Sequence, residues 1–396
     1  MERSLRAGEI SGSAAPPGQK GKKRERMSLF SVKFGEIDII FLILVMLLVV
    51  IGLLALFSAS YAYAYYNEGN SYAFISKQVV FALGGVLLML FISTINYEIL
   101  YRLAWPIMAI TFALLVIVLF FPHDGARRWI DLGFTTFQPS EIAKFAIVVL
   151  FARIAVKNTD RIGSFKHGVL PFGVVLGAVV ILMVLEPHLS GTILIFALGA
   201  LMMLVGGVDL KWFVLAGVLA AAGVALVIAT GTISYAMPRI DNWLDPFADP
   251  RGGGFQIIQS LFAIGSGGLM GVGIGASRQK YLYLPEPQND FIFAVVCEEV
   301  GFVGATIIIL LFAMLVWRGF VIGMRCKDKF GALLAIGFTS QVGLQTILNI
   351  MVVTNTVPNT GISLPFFSSG GTALIMLLAQ MGLVLSISRQ SNISKQ

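Results

Sequence analysis

The stretch IDIIFLILVMLLVVIGLLALFSA, residues 37–59, is a long apolar run with a single charge, Asp38, near its start. It is too long for the apolar core of a secretory signal peptide, and it lacks a convincing cleavage site. A bilayer core about 30 Å thick is crossed by about 20 helical residues. The stretch therefore predicts a first transmembrane helix that remains in the mature protein.

The composition indicates that this helix is one of many. The chain has 396 residues, of which 57% are apolar and only 12% are charged, which is incompatible with a water-soluble globular surface. The net charge of +7 does not point to nucleic acid, because eight of the 28 Lys and Arg residues precede residue 37. We predict that residues 1–35 form a disordered, basic cytosolic tail, with Met27 as an alternative translation start.

Apolar runs of span length recur along the chain. They predict about ten transmembrane helices, near residues 37–59, 73–95, 103–121, 140–156, 169–186, 189–206, 212–231, 290–317, 331–353 and 370–388. The expected fold class is an all-α polytopic membrane protein, with a membrane domain over residues 36–389 and a cytosolic tail over residues 390–396. Cys297 and Cys326 suggest no disulfide framework, and the three scattered histidines show no metal-site spacing.

The distribution of positive charge predicts the orientation. With the amino terminus inside, residues 152–168 and 318–330 become cytosolic loops with four cations each, as the positive-inside rule expects. Both termini are then cytosolic. The large loop between helices 7 and 8, residues 232–289, lies outside with the shorter loops 60–72, 122–139 and 354–369. Any chemistry is expected on this outer face.

The outer stretch LPEPQNDFIF, residues 284–293, places Asp290 at the start of an apolar run. A helix cap explains an aspartate there. It does not explain Glu286 four residues earlier, or Arg278 and Lys280 before it. A partly desolvated carboxylate reachable from water is suited to accept a proton or to hold a divalent cation.

Other polar groups near the membrane allow two interpretations each. Glu141 and Lys144 lie three residues apart on one helical face, where they form either a purely structural ion pair or a pair that binds a ligand. Arg127 and Arg128 beside Trp129 are interfacial anchors or ligand contacts. The glycine-rich residues 265–275 lack the dinucleotide-binding spacing, so close backbone packing is the better interpretation. Glu298 and Glu299, deeper along the helix of Asp290, are expected to need buried partners.

Four ordered motifs resemble the SEDS family of FtsW, RodA and SpoVE. They are GARRWIDLG with FQPSEIAKF, EPHLSGT, YLYLPEPQNDFIFAVVCEEVGFVG and TGISLPFFSSGG, within a resemblance that covers nearly all of residues 36–389. The resemblance implies a peptidoglycan glycosyltransferase that polymerises lipid II on the outer face of the cytoplasmic membrane. It also implies a class B penicillin-binding protein as transpeptidase partner, with other divisome or cell-wall proteins.

Carried over by position, the resemblance makes Asp290 the catalytic aspartate. Glu141 and Lys144 match the paired charges of the fourth helix, and Lys280 matches the lysine before the YLPE-like segment. Arg239 and Gln256 fall in a loosely patterned region. The predicted substrate-binding residues are Lys280, Arg239, Arg278, Gln256, Glu286, Glu141, Lys144, Arg127 and Ser368. The last loop departs from the family's SYGGSS, since Ser369, Thr372 and Ala373 replace a tyrosine and two serines.

The expected reaction has Asp290 as general base toward an acceptor sugar hydroxyl, with Arg239, Arg278 and Lys280 as candidates to stabilise a departing pyrophosphate. A divalent cation, Mg²⁺ or Mn²⁺, is expected and no organic cofactor. The setting is expected to be division or sporulation. The alternatives are a lipid II flippase or ion-coupled transporter, in which buried acids line a path, and a scaffold whose outer loops position other enzymes.

Overall fold

The structure of the protein is a computed structural model that describes residues 35–121, 128–131, 133, 136–186, 188–218 and 242–393. Over these residues the chain is almost entirely helical. The helices are α1 (Ile39–Glu68), α2 (Ala73–Ile92), α3 (Ile99–Val118), α4 (Pro139–Lys157), α5 (Leu170–Leu185), α6 (Leu189–Gly206), α7 (described over 210–218), α8 (Phe255–Gly267), α9 (Ile292–Arg325), α10 (Lys329–Val353) and α11 (Gly371–Ile393). A small antiparallel hairpin pairs β1 (Ile130–Asp131) with β2 (Thr136–Phe137).

The helices confirm an all-α multi-pass membrane architecture. Eight helices of the described chain are long and apolar enough to cross a membrane, namely α1, α2, α3, α5 with the preceding π-helix Phe165–Val169, α6, α9, α10 and α11. The remaining predicted spans correspond to α4 and to α7, of which the structure describes residues 210–218. The helix α4 is less apolar because most of its side chains are buried within the bundle rather than turned to lipid.

Two helix ends differ from the predicted boundaries. The helix α1 continues to Glu68 because YAYAYYNE contains no helix breaker, and it ends where Gly69 adopts a left-handed conformation with φ of 68°. Most of the loop predicted over residues 60–72 is therefore helical, and that prediction is wrong. The helix α11 extends to Ile393, past its predicted end at residue 388. The tail predicted over residues 1–35 lies almost entirely outside the described residues.

Helix packing places α4 and α10 in the interior of the bundle. Extensive contacts join α11 to α2, α9 to α10, α3 to α4, α4 to α6 and α1 to α9. The largest fully buried side chains come from several of these helices and include Phe41, Leu48, Leu56, Met89, Met108, Leu115, Ile147, Phe151, Phe172 and Phe338. Because the interior helices are fixed from several sides, polar groups on them hold defined positions.

The helix α9 is broken at Gly301. This residue has φ of 66° and ψ of −170°, a conformation available in practice to glycine alone. The predicted continuous span over residues 290–317 is therefore two half-helices. A break leaves backbone N–H and C=O groups without helical partners, and such groups are tolerated at membrane depth only if other protein atoms pair with them.

The glycine-rich segment, residues 267–273, supplies those partners. Val272 N–H donates to the Glu298 carbonyl at 2.9 Å, and Phe302 N–H donates to the Gly268 carbonyl at 2.9 Å. Gly267 and Gly271 lie so close to the backbone of α9 that a side chain on either would collide with it. The interpretation of this segment as close backbone packing is confirmed.

Replacing Gly301 by alanine is expected to destabilise the protein by about 2–4 kcal/mol, because a β-carbon strains the backbone and strikes the glycine-rich segment. Thermal unfolding in detergent measures the effect. Gly177→Ala in α5 is the matched control, since a β-carbon there meets nothing within 4 Å. Equal melting temperatures for the two variants would show that the break imposes no such constraint.

The amino-terminal ends of α2, α4, α6, α9 and α11 lie at one end of the bundle, which we term the cavity end because a large cavity opens among them. A helix start carries a partial positive charge from its unpaired N–H groups. Helix starts gathered around one cavity add positive potential to it.

Candidate active site

A cavity of about 730 Å³ occupies the cavity end of the bundle. Its walls come from the starts of α2, α4, α6 and α11, the β1–β2 hairpin, the segment before α9, and the loop between α10 and α11. Charged residues on these walls are Lys77, Arg128, Asp131, Glu141, Lys144, Glu286 and Asp290. This volume and this mixture of three cations and four acids fit a polar ligand.

Asp290 lines this cavity immediately before α9. Its backbone is held by Asn349 of α10, whose side-chain amide donates to the Asp290 carbonyl at 2.7 Å and to the Ile362 carbonyl at 2.6 Å. Gly361 has φ of +68°, and a β-carbon on it would lie 2.8 Å from Asp290 Oδ2. No described residue donates a hydrogen bond to the Asp290 carboxylate, so it remains available to accept one from a substrate hydroxyl.

The electrostatic environment of Asp290 suits a general base. Burial and, to a smaller extent, the charge of Glu286 raise the pKa of Asp290, Arg128 opposes the rise, and the resulting pKa is about 6. A carboxyl that titrates just below neutral pH is largely unprotonated at pH 7 and is more basic than an ordinary aspartate.

The raised pKa predicts the pH dependence of any reaction in which Asp290 is the base. We expect kcat/KM to fall as the pH is lowered through about 6, because protonation removes the acceptor. Glu286→Gln removes one cause of the raised pKa, so the acid limb should move to lower pH. Glu98→Gln, at the opposite end of the bundle, is the control. An acid limb at the same pH in both variants would contradict this assignment.

The segment that carries Asp290 is joined to the loop before α11. Ser368 donates from its hydroxyl to the Asn289 carbonyl at 2.7 Å and accepts from the Leu364 N–H at 2.7 Å. Glu286 lines the cavity and accepts from the Asn289 side chain at 2.9 Å. Ser368 itself lines only a small neighbouring cavity. The structure therefore gives Ser368 a supporting position beneath the site.

Glu141 and Lys144 line the cavity as the predicted ion pair. Their side chains are 2.8 Å apart and are only 10% and 6% exposed. Lys144 also donates to Gln345 of α10 at 3.2 Å, and Gln345 in turn donates to the Ser363 carbonyl at 2.9 Å. The pair thus fixes the floor of the cavity and connects α4 to the loop that faces Asp290.

The structure corrects the predicted placement of Lys280. Its ammonium group does not line the cavity but pairs with Glu299 at 3.0 Å and donates to the Ser58 hydroxyl at 2.9 Å, with only 3% of the side chain exposed. It also donates to the Gly275 carbonyl at 2.7 Å. A buried carboxylate on the broken helix requires a cation, and Lys280 supplies it. Glu298 accepts from the Ser277 hydroxyl and from the Arg278 N–H at 2.9 Å, so both deep acids have the partners expected for them.

The remaining predicted residues lie elsewhere. Arg278 is exposed and Gln256 is half-buried, and neither lines the cavity. Gln256 instead donates to the Pro285 carbonyl at 3.4 Å and accepts from Asn359 at 3.1 Å, which supports the segment before Asp290. The convergence predicted for Arg278, Lys280 and Glu286 is therefore corrected. Arg127 and Arg239 lie outside the described residues.

Several cavity residues were not predicted from the sequence. Lys77 lines the cavity with Lys144, and so does Arg128, which the sequence indicated only as an interfacial cation beside Arg127. Gln78 of α2 accepts from the Gly370 N–H at 3.3 Å and so positions the start of α11. An isolated lysine, glutamine or asparagine in an apolar helix has no periodic signal, although polar residues at such positions generally face the bundle interior.

The cavity could also bind a divalent cation with a substrate phosphate. The described residues contain no group of three or more His, Cys, Asp and Glu side chains placed to hold a metal. Asp290 and Glu286 both line the cavity and act on each other electrostatically. Mg²⁺ is commonly held by one or two carboxylates together with substrate phosphates, so Glu286, beside the base, fits a cation shared with the substrate better than a metal held by protein alone.

Sequence comparison identifies relatives along the whole membrane domain. The family described as Cell cycle protein, which groups FtsW, RodA and SpoVE, matches residues 38–393. Stage V sporulation protein E of Bacillus subtilis (strain 168) is 41% identical over 361 residues, covering 89% of this chain and 97% of that protein. A probable peptidoglycan glycosyltransferase FtsW of Geobacter sp. (strain M18) is 35% identical, covering 89% of this chain and 96% of that protein.

Solved structures share the fold. A chain of a peptidoglycan synthase complex, studied for its structural coordination of polymerization and crosslinking, has a TM-score of 0.74 and 31% identity, with 90% of this chain and 98% of that chain covered. The rod shape determining protein RodA of Thermus thermophilus has a TM-score of 0.65 and 26% identity, with 89% of this chain and 97% of that chain covered. The chain described here is therefore a multi-pass membrane protein of the FtsW, RodA and SpoVE family.

Proposed function

We propose that the chain is a peptidoglycan glycosyltransferase that polymerises lipid II. The observation that carries the proposal is the placement of Asp290 in a cavity of about 730 Å³ that is also lined by cations. The Asp290 carboxylate has a raised pKa and accepts no hydrogen bond from the residues that the structure describes. Relatives that match nearly the full chain are named as probable peptidoglycan glycosyltransferases. The setting proposed is division or sporulation, in keeping with the relatives named FtsW and stage V sporulation protein E.

In the proposed reaction, the Asp290 carboxylate accepts the proton of the acceptor's GlcNAc 4-hydroxyl. The oxygen attacks the anomeric carbon of a donor glycan while the bond from that carbon to the lipid diphosphate breaks. The proton remains on Asp290, and undecaprenyl pyrophosphate leaves. General-base assistance of this kind contributes about 10²–10⁴-fold to a rate.

Charge on the departing diphosphate must be stabilised as it develops. Lys77 and Arg128 replace Arg278 and Lys280 as the proposed cations, because they line the cavity. The starts of α6 and α11 contribute further positive potential. Glu286 would help to hold a divalent cation, which would supply additional positive charge to the diphosphate and leave the Asp290 carboxylate as the base.

The proposed orientation places the cavity end outside the cytoplasmic membrane and both termini in the cytosol. It is supported by the four cations from the end of α4 to the connection before α5, and by the four from the end of α9 to the start of α10, at the opposite end of the bundle. The proposed partner is a class B penicillin-binding protein, by analogy with the peptidoglycan synthase complex that shares the fold.

Purified protein supplied with labelled lipid II, a class B penicillin-binding protein and Mg²⁺ or Mn²⁺ tests the proposal. The expected result is long glycan strands with release of undecaprenyl pyrophosphate. Sealed vesicles provide the contrasting measurement, because a flippase moves labelled lipid across the bilayer without polymerising it. Transport without polymer would replace the proposed activity by the transporter alternative.

A further inference from the structure

The turn between α5 and α6 presents polar side chains that the proposed chemistry does not use. We term Glu186, His188 and Ser190 the α6 cluster. All three are more than nine-tenths buried, with exposures of 1%, 8% and 2%. His188 and Ser190 line the cavity that contains Asp290. These two residues stand on a different wall of that cavity from the segment before α9, whereas Glu186 precedes them in the chain and does not line the cavity.

The polar atoms of the α6 cluster are not satisfied within the described protein. Both carboxylate oxygens of Glu186, Nδ1 of His188 and Oγ of Ser190 have no hydrogen-bond partner there. Leaving a buried polar group unpaired opposes folding, whereas an apolar replacement of the same shape is neutral or stabilising. Folding stability alone therefore does not account for three such side chains in one turn. Two of them, His188 and Ser190, line the cavity, where a ligand with matching hydrogen-bonding groups accounts for them.

The fold holds the His188 ring in place. The His188 N–H donates to the Met183 carbonyl at 3.2 Å, and its own carbonyl accepts from the Thr192 hydroxyl at 2.8 Å. Ring atom Nε2 lies 3.4 Å from Nε2 of Gln138. A β-carbon on Gly191 would lie 2.8 Å from His188 Nδ1, so the glycine leaves room for the ring. The imidazole is thus positioned before any ligand arrives.

The charges around the α6 cluster indicate which ligand groups it suits. Burial, with smaller contributions from the charges of Arg128 and Lys144, lowers the pKa of His188 to about 3. The ring is consequently neutral and able to donate or accept a hydrogen bond. Arg128 also acts on Glu186 and on Asp290. Arg128 therefore lies within electrostatic reach of both walls. The charge of Asp290 is not a main cause of the lowered pKa of His188.

We propose, resting on the glycosyltransferase activity proposed above, that the α6 cluster binds the sugar that is attached to the leaving diphosphate. Sugar hydroxyl and acetamido groups both donate and accept hydrogen bonds, which the unpaired atoms of the cluster require. A diphosphate next to Arg128 places its attached sugar along one of the two walls. Asp290 must reach the acceptor hydroxyl on its own wall, which leaves the α6 cluster for the donor.

Separate donor and acceptor substrates test this proposal. The donor is a lipid-diphosphate disaccharide with its 4-hydroxyl blocked, and the acceptor is the same disaccharide on a lipid monophosphate. Ser190→Ala and His188→Gln should each raise the donor KM about 5- to 20-fold, as expected for the loss of one ligand hydrogen bond. The acceptor KM and kcat should change less than two-fold by the same reasoning.

Ser60→Ala is the matched control. Ser60 is also a fully buried serine whose hydroxyl lacks a partner, but it does not line the cavity. Both serine variants should melt at or above the temperature of the wild type, because each removes an unpaired buried hydroxyl. Only Ser190→Ala should alter the donor KM.

An unchanged donor KM in folded Ser190→Ala and His188→Gln would overturn the proposal, and so would a rise confined to the acceptor KM. Direct binding of the labelled, blocked donor to the detergent-solubilised protein keeps the two proposals separate. If the wild type forms no polymer, the proposed glycosyltransferase activity fails. The binding assay still decides whether the α6 cluster binds the donor sugar. Weaker donor binding by both cluster variants supports the donor site, and equal binding rejects it.

Discussion

Asp290→Asn is expected to lower the rate of glycan polymerisation by about 10²–10⁴-fold, the usual contribution of a general base. Asparagine has nearly the shape of aspartate but cannot accept the proton of the acceptor hydroxyl. Polymer length and rate with labelled lipid II measure the effect. Because the substitution acts on the chemical step, most of the loss should appear in kcat.

The Asp290 variant should remain folded. The raised pKa of Asp290 means that the folded state holds a proton more tightly than the unfolded state, so ionisation of this carboxyl reduces stability as the pH rises toward about 6 and beyond. Replacing it with a neutral amide removes this penalty, and at pH 7 the melting temperature should equal or exceed that of the wild type.

Asp209→Asn is the control for loss of a carboxylate, since Asp209 is exposed and does not line the cavity. It should polymerise at the rate of the wild type. If Asp290→Asn also did so, Asp290 would not be the base, whatever its position in the cavity.

Lys280→Met is expected to destabilise the protein by about 3–5 kcal/mol, because it leaves Glu299 charged, buried and without its cation. The effect should reach the site, since the segment from Lys280 to Asp290 is held to the broken helix through this pair. Denaturant or thermal unfolding in detergent measures the loss, and polymerisation at low temperature measures its effect on activity.

The double variant Lys280→Met with Glu299→Gln separates a structural role from substrate binding. Removal of both charges leaves no unpaired ion, so much of the lost stability should return. Polymerisation should return with it if Lys280 acts only by holding the segment. A folded double variant that remains inactive would instead support the direct substrate contact that the sequence motif predicts.

The sequence predicted the spans well because a transmembrane helix is a local property of the chain. The length of an apolar run is enough to predict that it crosses the bilayer, and α6 begins and ends at its predicted residues, 189 and 206. The break at Gly301 was not predicted, since a glycine within an apolar run resembles any other helical glycine. Its conformation is set by the glycine-rich segment about thirty residues earlier in the chain.

The sequence likewise predicted some residues of the candidate site and not the positions of others. The sequence indicated Asp290, Glu286, Glu141 and Lys144, because acids and cations beside apolar runs stand out in composition, and all four line the cavity. It misplaced Lys280, whose partners Ser58 and Glu299 come from two other helices. Run lengths and local charge patterns follow from the order of residues alone. The partner of a buried charge depends on which distant segments are packed together, so only the tertiary structure decided whether a cation faces the ligand or neutralises an acid of its own protein.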